Sequence, residues 1–153
     1  MGPEEKLKEL HLELPPAPKP AGVYKPLLVV GNMAYVSGHG PLKPDGSMLK
    51  GRVGQDVDQQ AGYAAARQTG LAVVATLRAG LGSLDRVRRL VKTLGAVNCT
   101  ADFTQHPAVI NGFSELMAQV FGPDHGVGVR SAAGFSALPN NATVEVEAIF
   151  EFA

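Results

Sequence analysis

The sequence predicts an α+β domain in which one mixed β-sheet carries two helices on a single face. Three observations lead there. The elements run hairpin, helix, strand, helix, strand, strand, an order that suits one sheet with helices packed on it. An alanine-rich stretch in the middle repeats at helical spacing. Residues 143–152 alternate as a half-buried strand does. A length of 153 residues fits one domain. We read residues 1–20 as an N-terminal extension and residues 21–153 as the domain.

Each element has its own signal. Residues 4–14 repeat leucine at Leu7, Leu10 and Leu14, which predicts a short helix. Pro15, Pro16, Pro18 and Pro20 stop it and make an extended connector. Leu27–Val30 and Met33–Ser37 flank Gly31-Asn32, a hairpin signal. The polar run after it is a loop that turns at Asp45-Gly46. Asp56 to Ala79 predicts a helix with Val57, Ala61, Ala64, Leu71, Ala72, Ala75 and Ala79 as its apolar stripe. Gly80 and Gly82 close it.

Val87–Asn98 is a strand with apolar groups on both faces, as a central strand requires. By alternation Val87, Val91, Thr93 and Val97 share one face, and Leu90, Leu94 and Ala96 the other. Ala108–Phe121 is the second helix, with Val109, Phe113, Leu116, Met117 and Val120 on its stripe. Val127–Ser131 is a short strand. In Thr143–Phe152, Val144, Val146, Ala148, Phe150 and Phe152 face one way, and Glu145, Glu147, Ile149 and Glu151 the other. Two helices cover only one face of such a sheet. Association between copies is a common way to bury the second face.

Composition narrows the function. Fourteen basic and fourteen acidic residues cancel, so the long-range field of a nucleic-acid binder is not expected. A single cysteine, Cys99, permits no internal disulfide and suggests a reducing compartment. The N-terminus has no signal-peptide pattern, and no window reaches membrane-spanning length, so the expected location is the cytoplasm and no membrane partner is expected. The four histidines are dispersed, and no metal-ligand spacing, phosphate loop, dinucleotide fingerprint or Gly-x-Ser-x-Gly elbow occurs.

What remains is Gly-Val-Arg-Ser-Ala-Ala-Gly near the end. Arg130 is the only charged residue between Gly126 and Ala142. A guanidinium among small residues is either half of a structural ion pair, with Glu145 or Glu147 as the natural partner, or a bidentate carboxylate anchor. A carboxylate beside it can orient or activate a water.

The segment VGVRSAAGFSALPNNATVEVEAIFEF resembles the C-terminal signature of the RidA/YjgF family, which comprises imine deaminases and proteins labelled endoribonuclease L-PSP. PAGVYKPLLVVGNMAYVSGHGPL is similar to the family's N-terminal block, AGLGSLDRVRRLVKTLGAVNCTADF to its helix end and following strand, and VINGFSELMAQVFG to its second helix. The resemblance covers roughly residues 20–152 and rests on the order and spacing of several blocks. It implies a chorismate-mutase-like fold, a homotrimer with clefts between subunits, and no metal or organic cofactor. For active members it implies hydrolysis of enamines or imines such as 2-aminoacrylate to a 2-keto acid and ammonia. By position, Arg130 matches the residue that holds the substrate carboxylate and Glu145 the one that places the attacking water. Tyr24 matches the cleft tyrosine, Ser37 the Ser-Gly block, and Asn111 the asparagine of the second helix.

This chain departs from the pattern in four places. His39 stands where the family commonly has glutamine, and Ala132 where active deaminases often have cysteine. The N-terminal extension and the Lys43–Gly54 loop are longer than in compact members. These mark a divergent subgroup. His39 follows Ser-Gly, so it is either a cleft proton donor or a plain polar loop residue. Tyr24 can equally be an interface aromatic, and Cys99, with no histidine beside it in sequence, reads as inert. Two rival functions stay open: a trimer that binds a small carboxylate without turnover, and a ribonuclease.

Overall fold

A computed structural model describes all residues, 1–153. A five-stranded sheet has the order β1-β2-β5-β3-β4, with β1 Leu27–Val30, β2 Met33–His39, β3 Val87–Asn98, β4 Val129–Phe135 and β5 Val144–Phe152. Only β3 and β4 pair in parallel, so the sheet is mixed as expected. Helix α2, Gln59–Leu81, lies over β2 and β5. Helix α3, His106–Phe121, lies over β3 and β4 on the same face. A third helix, α1 at Pro3–Glu9, stops well short of residue 14. It docks beside the C-terminal end of α2: Leu7 is buried, and Glu4 bonds Arg78 at 2.8 Å and the Leu84 amide at 2.9 Å.

Helix α2 starts three residues later than predicted because Asp58 is its cap, accepting from the Ala61 amide at 2.8 Å. Its buried face is only partly the expected one: Leu71, Ala72 and Ala75 are buried as predicted. Ala61, Ala64 and Ala79 are exposed, while Gly62, Ala65, Ala66, Thr69, Gly70, Val73 and Leu77 are buried. The reason is the contact with α3. A Cβ on Gly70 would stand 2.7 Å from Leu116, and one on Gly112 of α3 would stand 2.1 Å from the Tyr63 carbonyl oxygen. A hydrophobic pattern reads glycine as blank, yet glycine is what lets these two backbones meet.

Plain alternation also fails in β3. Register shifts between Val87 and Arg89 and between Leu90 and Lys92 turn Leu90 to the core side, with Val87, Thr93 and Val97. Val91 is left only half-buried. β4 runs on to Phe135, four residues past the predicted end, because Cys99 and β3 continue to pair with it. β5 behaves as predicted: Val144, Val146, Ala148, Phe150 and Phe152 are all buried under the helices.

The opposite face is open. Leu28, Tyr35 and Ile149 lie in one row across it, and the row runs on through the exposed Lys92 to Val129; Leu28, Tyr35 and Val129 are 47%, 43% and 68% exposed. Exposed apolar groups on a bare sheet, broken here by Lys92, are the usual mark of an association surface.

Candidate active site

Glu145 stands on this open face, in register with Ala96 of β3. Gly38 makes room for it: a Cβ there would be 2.9 Å from the Glu145 carboxyl carbon. Half-burial pushes the Glu145 carboxyl above the ordinary range, and the neighbouring Glu147 adds to the effect. Glu145, Glu147, Ser37 and Tyr24 line one cleft of about 620 Å³. Its outer wall is the proline-rich connector, held by two bonds. Ser37 Oγ donates to the Lys25 carbonyl, and the Ala21 amide donates to the Tyr24 hydroxyl at 3.2 Å.

His39 borders this cleft, but its imidazole turns away from it. Alternation from Ser37 would place the ring in the cleft. A bulge between Val36 and His39 inserts one residue, so the His39 side chain turns inward. It is 4% exposed. Its Nδ1 lies 2.6 Å from the Ser37 carbonyl oxygen and its Nε2 2.7 Å from Thr76 Oγ1 in α2. A carbonyl only accepts, so Nδ1 carries the proton and Nε2 accepts from the threonine. Burial lowers the pKa of this imidazole. His39 is a satisfied core histidine, and neither a cleft donor nor a plain loop residue.

Arg130 is on the other side of the sheet. It pairs in register with Thr93 on the helix-covered face, whereas Glu145 pairs with Ala96 on the open one. An ion pair between Arg130 and Glu145 or Glu147 therefore does not form within one chain. The guanidinium projects from the edge strand over α3, donating to Ser114 Oγ at 3.0 Å and to the Pro107 carbonyl at 3.4 Å. Both acceptors are neutral, and no carboxylate meets it. Asn111 sits four residues after Pro107 and three before Ser114, on the same stripe of α3.

The candidate residues thus form two halves. Tyr24, Ser37 and Glu145 line the open-face cleft, and Arg130 and Asn111 line the β4–α3 edge. Gly38 and Thr76 were missed by sequence reasoning. The Ser-Gly pair was a usable signal for the first. Nothing in a threonine within a helix announced the second.

Comparison with known proteins places this arrangement. The family described as "YjgF/chorismate mutase-like, putative endoribonuclease" matches residues 4–151. The chain belongs to that family. It is 40% identical to Protein TCP17 of Trypanosoma cruzi over 145 residues, covering 95% of this chain and 91% of that one. It is 31% identical to the RutC family protein PH0854 of Pyrococcus horikoshii over 134 residues, covering 87% and 90%. Among solved structures it is similar to Atu1372 of Agrobacterium tumefaciens, a protein of unknown function. The TM-score there is 0.88 at 38% identity, covering 98% of this chain and 91% of that one. The predicted family and chorismate-mutase-like fold are those observed.

Proposed function

We propose that this chain hydrolyses small enamine or imine carboxylates to 2-keto acids and ammonia, in clefts shared between the subunits of a homotrimer. One observation carries the reading. The base-like half, Glu145, and the anion-holding half, Arg130, lie on opposite faces of one sheet, so a complete site requires two chains. The apolar row on the open face gives those chains a surface to meet on.

The chemistry asks little of the protein. An imine carbon is already electrophilic, so fixing the substrate and aligning one water supplies much of the barrier reduction. Arg130 holds the carboxylate in a bidentate pair. Glu145 takes a proton from water as the water oxygen bonds to the carbon of the protonated imine, giving a carbinolamine. It passes that proton to nitrogen and then takes up the hydroxyl proton as the C–N bond breaks, leaving the 2-keto acid and ammonia. A carboxyl with a raised pKa suits both roles.

The family description also names an endoribonuclease. Against that activity stand the zero net charge and the two carboxylates, Glu145 and Glu147, that line the cleft and would repel a phosphate backbone.

The test is ammonia release from enzymatically generated imines. Arg130→Gln and Glu145→Gln should each lower kcat/KM by roughly 100-fold or more. Co-refolding the two inactive variants in equal amounts should restore about a quarter of the native sites if each site draws on two chains. Mixtures that stay inactive rule out the shared cleft, and native protein no faster than buffer rules out the enzyme.

A further inference from the structure

Further along β4 from Arg130, at Gly134, lies a separate cavity of about 320 Å³. Arg130, Ala132 and Gly134 line this face of β4 in unbroken register with Thr93, Gly95 and Val97. At the far end, Gly134 leaves an opening. A Cβ there would stand 2.4 Å from Nε2 of His106 and 2.8 Å from Sγ of Cys99, so imidazole and thiol converge above it. Arg52 lines the cavity too, with one guanidinium N–H on the Ser136 carbonyl and no carboxylate partner.

The chemistry of this cavity is the reverse of the open-face cleft. Its lining includes Arg52, His106 and Ser136, and no acidic side chain. Two nearby carboxylates already accept hydrogen bonds from residues of its wall. Asp56 accepts from the Arg52 backbone amide at 2.8 Å, and Asp102 from the Thr100 hydroxyl at 2.6 Å. Cys99 is a poor nucleophile here, because burial pushes its thiol up and keeps it protonated at neutral pH. What remains is a pocket that favours an anion.

Its position relative to Arg130 gives the anion an identity. The Arg130 guanidinium leans onto the Pro107 carbonyl, and Pro107 follows His106 directly in the first turn of α3. Arg130 and the cavity that holds Arg52 and His106 thus lie along one face of β4, with the small Ala132 side chain between them.

We propose that Arg52 and His106 form a subsite for a second carboxylate, so that this edge takes dicarboxylates. The first carboxylate sits on Arg130 and the second reaches the Arg52–His106 cavity. The substrate class is then the imines of acidic amino acids. This rests on Arg130 being the carboxylate anchor, as in the proposed function. A bidentate guanidinium and an imidazole donor are suited to a carboxylate that a methyl-ended substrate lacks.

The experiment measures binding apart from turnover. The full chain is titrated by calorimetry with two stable 2-keto acids, 2-oxobutyrate and 2-oxoglutarate. The dicarboxylate should bind roughly tenfold or more tightly. Arg52→Gln and His106→Gln should each bring the ratio to within about twofold while leaving 2-oxobutyrate affinity unchanged, and Arg130→Gln should lose both ligands. Equal native affinities, or a preference that survives both Arg52→Gln and His106→Gln, overturn the subsite. A preference that depends on these residues, with no ammonia released from either imine, upholds the subsite and overturns the hydrolase instead. Binding of neither acid overturns both.

Discussion

Under α2 and α3 the polar groups of the sheet are paired. His39 holds Ser37 and Thr76. On the open face Glu145 and Glu147 stand side by side without an ion-pair partner, and the surrounding apolar row is exposed. The first face spends its side chains on holding the fold. The second leaves a carboxylate unpaired and half-buried, an environment that costs stability and suits proton transfer. Substitutions on the two faces should therefore fail in different ways.

The largest effect is expected where the helices touch. Gly112→Ala drives a methyl into the Tyr63 carbonyl, and should cost about 3 kcal/mol in a denaturant titration. Next comes Gly38→Ala on the open face. It displaces the Glu145 carboxyl and should cut kcat/KM by roughly 10-fold or more, yet shift the unfolding midpoint little. A stability loss as large as that of Gly112→Ala would erase the distinction between the faces. Thr76→Val strips His39 of its Nε2 partner and should cost about 1–2 kcal/mol.

The smallest effects are in pH dependence, and their signs differ between the faces. Glu145 binds its proton more tightly folded than unfolded, so its contribution to stability falls as pH rises above 4.5 and through the folded value. Glu145→Gln should melt higher than native protein at neutral pH, with the gap closing in acid. His39 binds its proton less tightly when folded, so stability is lost as pH falls from 6.5 toward the folded value. The Glu145→Gln background should show that acid-side loss more cleanly, because the opposing carboxylate trend is gone. A melting difference independent of pH would mean that Glu145 is not held in a desolvated state.

The sequence by itself determined the elements and their order. It did so wherever period and side-chain type agree, as in the alternation of β5 and the stripe of α3, where Val109, Phe113, Leu116, Met117 and Val120 are all buried. It also singled out Arg130, as charge among small residues, and the pair Glu145 and Glu147, as carboxylates on one strand face, and the family resemblance chose Glu145 between them. Tertiary structure decided which way the side chains point and what they meet. One inserted residue between Val36 and His39 turned the histidine from the cleft into the core, and two register shifts in β3 carried Leu90 across the sheet. Gly62, Gly70 and Gly112 became the helix contact although they carry no pattern at all. Bulges and close approaches are set by pairing between segments far apart in the chain, so no local periodicity records them. The same holds for the placement of Arg130 and Glu145 on opposite faces. It follows from β4 pairing with β3 in the register it does, and it is what makes a second chain necessary to the proposed site.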